Sequence, residues 1–194
     1  MNEKSLRVLE WPKVRELVAS RTSFSLSREA IAELTPQTRL DAVKRDLALT
    51  SEGVRLLWKH GDAPFGGASD IRQVVSRARL GGILDPDQLL PIGDFLYCVA
   101  QLQKYLREEE GALGEFQEAL VTMPSLRAEI ARCIDDEGYV RDSASPELGK
   151  IRHKMRTLAN RIRDRLDSMV HSAAMQKILQ DPIITVRNGR YVVP

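Results

Sequence analysis

From Ser145 to Leu179 the chain carries one unbroken helical pattern, and a helix of that length leaves few architectures open. Ser145-Pro146-Glu147 supplies an N-cap, a proline tolerated at the first helical position and an acid in the first turn. Leu148, Ile151, Met155, Leu158 and Ile162 follow at alternating steps of three and four, and Met169 lies in the same phase as Leu148. That is the spacing of a coiled-coil seam. Carried to Leu179, where Asp181-Pro182 stops it, the pattern predicts a rod about 50 Å long at 1.5 Å per residue.

The same segment concentrates charge. Between Lys150 and Arg165 lie seven cations (Lys150, Arg152, Lys154, Arg156, Arg161, Arg163, Arg165) and one acid, Asp164, for a local charge of +6. The whole chain carries only +2, so the remainder is −4. With Ile151 at zero and about 100° per residue, the seam spans about 340° to 60°; Arg152, Arg163 and Arg156 lie at about 100° to 140°, and Lys150, Arg161, Lys154 and Arg165 at about 260° to 320°. Cations therefore flank the seam on both sides, and His153, Thr157, Asn160, Asp164 and Asp167 face away from it.

A helix that tracks a phosphate backbone presents its cations outward, because its affinity comes from neutralising phosphates. Here they occupy places like the e and g positions of a coiled coil, with their stems laid along the apolar edge. Pairing with acids such as Glu108-Glu109-Glu110, Glu115 or Glu118 is the preferred expectation, and nucleic-acid contact by the seven cations is the alternative.

A second local signal follows the rod. Asn188-Gly189 stands between Ile183–Arg187 and Arg190–Val193, and Asn-Gly between β-rich arms predicts a two-residue hairpin turn because both turn positions want positive φ. A lone hairpin is marginal in water, so this one is expected to lie on other structure or to be joined by further strands. Arg187 and Arg190 flank the turn, and two cations at a hairpin tip are candidates for phosphate contact.

Upstream, apolar residues recur at helical spacing. Helices are expected from Trp11-Pro12, over Ser25–Leu34, from Thr38 as N-cap to Gly61, over Ile71–Leu80, from Asp85-Pro86 through Leu106 with a bend at Pro91, over Ala112–Met123 and over Ser125–Ile134. The polar run 135–142 connects them to the rod. Short loops between helices imply a bundle. The predicted fold is thus mainly α: a multi-helix core bundle over residues 1–143, one long helix over 144–180 and a short C-terminal β-hairpin over 181–194.

Several functions are excluded by what the residues lack. No apolar run approaches the ~20 residues of a membrane span, so neither membrane partner nor signal core is expected and a cytosolic location is. Cys98 and Cys133 have no CxxC or Cys/His companion and sit in apolar stripes, which predicts reduced core thiols. No phosphate loop, dinucleotide fingerprint or HExxH is present, and His60, His153 and His171 lack ligand-spaced companions. No catalytic residue, metal site or cofactor is expected in this chain; Asp135-Asp136-Glu137-Gly138 reads as a solvated connector rather than a calcium loop.

The string DEGYVRDSASPELGKIRHKMRTLANRIR, followed by LQDPIITVRNGRYVVP, closely resembles the N-terminal region of the second bacterial MutS-type family, the paralogue that lacks the mismatch-reading domain. LRVLEWPKVRELVA, APFGGASDIR and GGILDPDQLLPIGDFL are similar to the same family, so the resemblance covers nearly the whole chain; Pro91 departs from its usual polar helix former. The resemblance implies that the bundle is part of a core domain, the rod a lever and the hairpin the start of a clamp, so that the chain is a fragment of a much longer protein. It also implies a homodimeric parent with a P-loop ATPase using ATP and Mg, and an Smr nuclease domain. Branched DNA, suppression of homologous recombination, and stalled ribosomes or rRNA are its implied partners and roles. A free-standing helical coiled-coil interaction module is the reading that competes with it.

Overall fold

The computed structural model describes residues 3–107, 111–179, 181 and 183–193. The chain divides into two compact units, Met1–Val140 and Arg141–Pro194. The first is built on helices, α1 (Glu3–Val8), α2 (Trp11–Ala19), α3 (Ser25–Glu33), α4 (Leu40–His60), α5 (Arg72–Arg79), α6 (Pro86–Tyr105), α7 (Ala112–Ala119) and α8 (Pro124–Cys133), and ends on an isolated antiparallel bridge between Ile134 and Val140. The second holds a 3-10 turn (Asp142–Ala144), the long helix α9 (Pro146–Val170), a second 3-10 turn (Met175–Lys177) and strands β1 (Thr185–Arg187) and β2 (Arg190–Val192). The mainly α fold expected from the sequence is the fold observed.

In the first unit α6 is the organising element. It opens on Asp85, whose backbone N–H donates to the Gln88 side chain at 3.1 Å, and it continues as one helix through Pro91. Its inner face packs on α8, where a Cβ at Gly93 would come within 3.3 Å of Ile130 Cγ2, so the small residue sets the approach of the two helices. Arg127 of α8 lies over the Tyr97 ring, 4.4 Å from its centre. Leu56, Val99, Ile130 and Ile134 are buried, as is Cys98, whose Sγ donates to the Pro64 carbonyl at 3.3 Å. Burial pushes the Cys98 thiol up, as expected of an inert core cysteine. Cys133 departs from that expectation: it is only half-buried, with Sγ 3.6 Å from a Glu129 carboxylate oxygen at the edge of α8.

Long-range polar contacts fix the shorter helices. Glu52 of α4 reaches the N-terminus of α7, accepting from Leu113 N–H at 2.9 Å and from Ala112 N–H at 3.4 Å. The carboxylate thus satisfies orphan donors at the positive end of the helix. Gly111, at φ +104°, precedes the helix, and a Cβ there would stand 2.8 Å from Glu52 Oε1. Arg45 pairs with Glu115 at 2.9 Å along the same α4–α7 contact. Arg72 at the start of α5 bonds both Asp70 and, from α3, Glu29.

The sequence reading contains no helix at α1 (Glu3–Val8), and several boundaries differ from it, most of them by one residue. α4 opens on Arg39 rather than Thr38, without a side-chain cap, and Asp41 supplies the acid of its first turn. α7 ends at Ala119 rather than Met123, because Met123 is the residue from which α8 starts at Pro124. α9 ends at Val170, not near Leu179. There the Ser172 hydroxyl donates to the Met169 carbonyl at 2.7 Å and accepts from Met175 N–H at 3.4 Å. A short polar side chain that bonds nearby backbone offers an alternative to the helix ladder, and it restarts the chain as a 3-10 turn. Pro182, where the sequence predicts that stop, lies outside the described residues.

Candidate functional site

The residues singled out in the sequence gather on α9 and on the hairpin. Ser145 caps the helix as expected, its Oγ accepting from Leu148 N–H at 3.0 Å. With 25 residues the helix is about 37 Å long. Its seam stands in solvent: Ile151, Met155, Leu158, Ile162 and Met169 are between 46% and 64% exposed, and Leu148 is partly buried. Leu166, also partly buried, belongs to the same edge, four residues after Ile162 and three before Met169. The strict heptad would have put position 165 there, and that residue is Arg.

Asp142 engages two of the cations, and it is not among the acids expected. Asp142 lies in the 3-10 turn before α9 and accepts from Arg152 Nη1 and Arg156 Nη2, both at 2.9 Å. The Arg152 guanidinium first, and then that of Arg156, hold the Asp142 carboxyl below the usual carboxylate range. The backbone is brought close at the same place: a Cβ on Gly149 would be 3.0 Å from the Asp142 carbonyl oxygen. Glu115, one of the expected partners, is engaged by Arg45, and Glu108–Glu110 lie outside the described residues.

The two flanks therefore differ. On one, Arg152 and Arg156 are paired, and among the described residues Arg163 forms no ion pair. On the other, Lys150, Lys154, Arg161 and Arg165 are all exposed and, among the described residues, form no ion pair. Glu147 in the first turn is the acid on that edge.

The hairpin forms as its sequence predicts. Asn188 and Gly189 take φ values of 51° and 72°, the left-handed pair that a type I′ turn requires. The register is Thr185↔Val192, Val186↔Tyr191 and Arg187↔Arg190. The ladder is shorter than the arms suggested, and the Thr185 hydroxyl adds a bond to the Val192 carbonyl at 3.2 Å. Arg187 and Arg190 stand directly opposite each other, exposed, with no acid paired to either among the described residues. Like charges in that relation are destabilising.

The first unit contributes an apolar cleft of about 400 Å³ among α4, α6 and α7, lined by residues such as Leu57, Leu102, Leu106, Leu113 and Phe116. Its one phenol, Tyr105, is already bonded to the Gly61 carbonyl at 2.6 Å. Among the described residues no group of acids, histidines and cysteines is placed to hold a metal ion, and no helix is long and apolar enough to cross a membrane.

A helical scaffold followed by a long amphipathic helix and a basic hairpin defines a mainly α-helical class of segment. Its kinship is with the MutS type. The chain is similar over its whole length to endonuclease MutS2 of Symbiobacterium thermophilum, at 45% identity, and to that of Bacillus velezensis, at 39%. Over 99% of the chain it is 40% identical to endonuclease MutS2 of Halalkalibacterium halodurans. These matches make it a MutS2-type segment, and it spans about a quarter of the length of the curated relatives, 25%, 26% and 25% in turn. No protein-family model matches the sequence.

Proposed function

We propose that the chain is the non-catalytic core and lever segment of a MutS-type ATPase and endonuclease that works on branched DNA. On this reading the parent is a cytoplasmic homodimer that suppresses homologous recombination and acts on stalled ribosomes through rRNA. Residues 1–143 form its core, the long helix is the lever and the hairpin opens a clamp. ATP and Mg belong to other parts of that parent, and no residue of this chain is assigned to them. The role of α9 is mechanical, for a stiff helix transmits a rotation between distant sites.

The observation that carries the nucleic-acid part is the Arg187–Arg190 pair. Two guanidiniums facing each other across a tight turn repel, and an anion bound between them removes the repulsion. A phosphate is the anion that this fork geometry suits best. The whole parent protein, titrated with a four-way DNA junction by fluorescence anisotropy over a salt series, tests it. Replacing both arginines, R187Q/R190Q, is expected to weaken binding and to lower the log–log salt slope by about 0.9, the loss of the one phosphate held between them. Unchanged affinity and slope would sink the reading.

A further inference from the structure

A smaller cleft in the first unit, of about 280 Å³, lies where α6 meets the link between α7 and α8. Leu96, Ala100, Gln103 and Lys104 line it from α6, Thr122 from the link and Arg127 from α8. The Gln103 Nε2 donates to the Leu120 carbonyl at 3.0 Å, which ties the link to α6 beside the cleft. Its charge is one-sided. Lys104 and Arg127 both line it and no acid does. Among the described residues neither cation forms an ion pair, and the Thr122 hydroxyl has no hydrogen-bond partner.

Helix electrostatics account for one of the two cations and not for the other. Lys104 stands in the last turn of α6, where the negative end of the helix favours it. Arg127 stands near the start of α8, at the positive end, where a cation is disfavoured. That end also lacks the usual remedies, since no acid occupies the first turn and Met123 offers no side-chain cap. The guanidinium is held there over the Tyr97 ring, 4.4 Å from its centre. Tyr97 and Lys104 are seven residues apart, so they lie along one line of α6 with a rise of about 10 Å between them. An anion fits into that separation, and the long Lys104 side chain can close on it.

The geometry points to a binding site for a phosphate monoester, with Lys104 and Arg127 on its oxygens, Thr122 as a neutral donor and the organic group against Leu96 and Ala100. The inference uses neither hairpin arginine and goes beyond the nucleic-acid reading. Two cations call for more than one negative charge. A carboxylate or a phosphodiester brings one, whereas a phosphate monoester carries about −1.5 to −2 at neutral pH and three acceptor oxygens. The volume limits the rest of the ligand: binding pockets run to about 300–1,000 Å³, and this one stands at the foot of that range, suited to a single ring or a short chain.

Phenyl phosphate, and phenyl sulfate as a monoanion of the same shape, are the probes, titrated into the whole parent protein and read by broadening of their ring-proton NMR signals. Phenyl phosphate is expected to bind saturably, about tenfold more tightly than phenyl sulfate, the value of one charge-assisted contact. K104Q and R127Q should each weaken it about tenfold, with R127K, which keeps the charge and loses the fork, falling between wild type and R127Q. Circular dichroism checks that each variant is folded. R187Q/R190Q should leave the binding as it is, which separates this cleft from the hairpin.

The inference is overturned if phenyl phosphate shows no saturable binding, if phenyl sulfate binds equally well, if K104Q and R127Q bind like wild type, or if R187Q/R190Q abolishes the signal. Single-stranded DNA with and without a 5′-phosphate distinguishes the sources of the monoester. Competition by the phosphorylated strand alone would place it at a nucleic-acid end, and failure of both strands to compete would leave it on a free small molecule; either supports the site. Equal competition by both would give the cleft to backbone phosphates and overturn it.

Discussion

Two helix glycines in this chain should respond to the same substitution in opposite ways. Gly53 lies inside α4, and a Cβ built on it meets nothing within 4 Å. Gly53→Ala therefore gains helix propensity alone, about 0.8–1.0 kcal/mol. That should raise the thermal midpoint of the first unit by about 3 °C. Gly149 lies in the first turns of α9, where the new Cβ would be 3.0 Å from the Asp142 carbonyl oxygen. That oxygen is backbone, and Asp142 is tethered to Arg152 and Arg156, so it yields only by loosening both ion pairs. Overpacking of this kind costs about 1–3 kcal/mol, which cancels or exceeds the propensity gain and leaves Gly149→Ala between neutral and about 2 kcal/mol less stable. Urea denaturation followed by circular dichroism reads both variants, and NMR titration of the Asp142 carboxyl reads the tether. A Gly149→Ala protein stabilised as much as Gly53→Ala, with Asp142 still titrating below the usual range, would refute the close-approach reasoning.

The Asp142 tether also predicts a pH dependence. The folded-state pKa is depressed relative to the ~3.9 of an unfolded aspartate, so the contribution is fully present above that value and is lost as pH falls through the folded pKa. Asp142→Asn should remove that part of the acid limb, and superimposable stability curves below about pH 4 would contradict it. Glu52→Ala deprives α7 of its cap and should destabilise the first unit by about 1 kcal/mol in denaturant titration, with earlier hydrogen exchange at Ala112 and Leu113; unchanged exchange at those two amides would show that the carboxylate does not cap the helix.

What could be read from the sequence was local. Ser145-Pro146 and Asn188-Gly189 act through their own backbone torsions and nearest amides, so a few residues suffice to announce a helix start and a hairpin turn. The end of α9 escaped because Pro182 is the louder stop, while Ser172 acts quietly, by taking the Met169 carbonyl. Asp142 escaped because it precedes Arg152 by ten residues and reaches it only when a 3-10 turn folds the connector back onto the helix. The Glu52 cap joins residues 61 apart in the chain, and no periodicity carries that information. Among the site residues, the seam and its two flanks were legible as a pattern on one helix. Leu166 was missed because it breaks the alternation of threes and fours, and the inequality of the flanks was hidden because it depends on one acid from outside the pattern.

Because α9 stops at Val170, the chain has a joint between its rod and its hairpin. A residue inserted within α9 turns everything after it by about 100°, which would take Leu158, Ile162 and Met169 off their common edge. The same insertion between Ser172 and Ile184 leaves that edge untouched. Length should therefore be held strictly on one side of Val170 and tolerated on the other, so that a change in this stretch resets where the hairpin points without resetting what the rod presents.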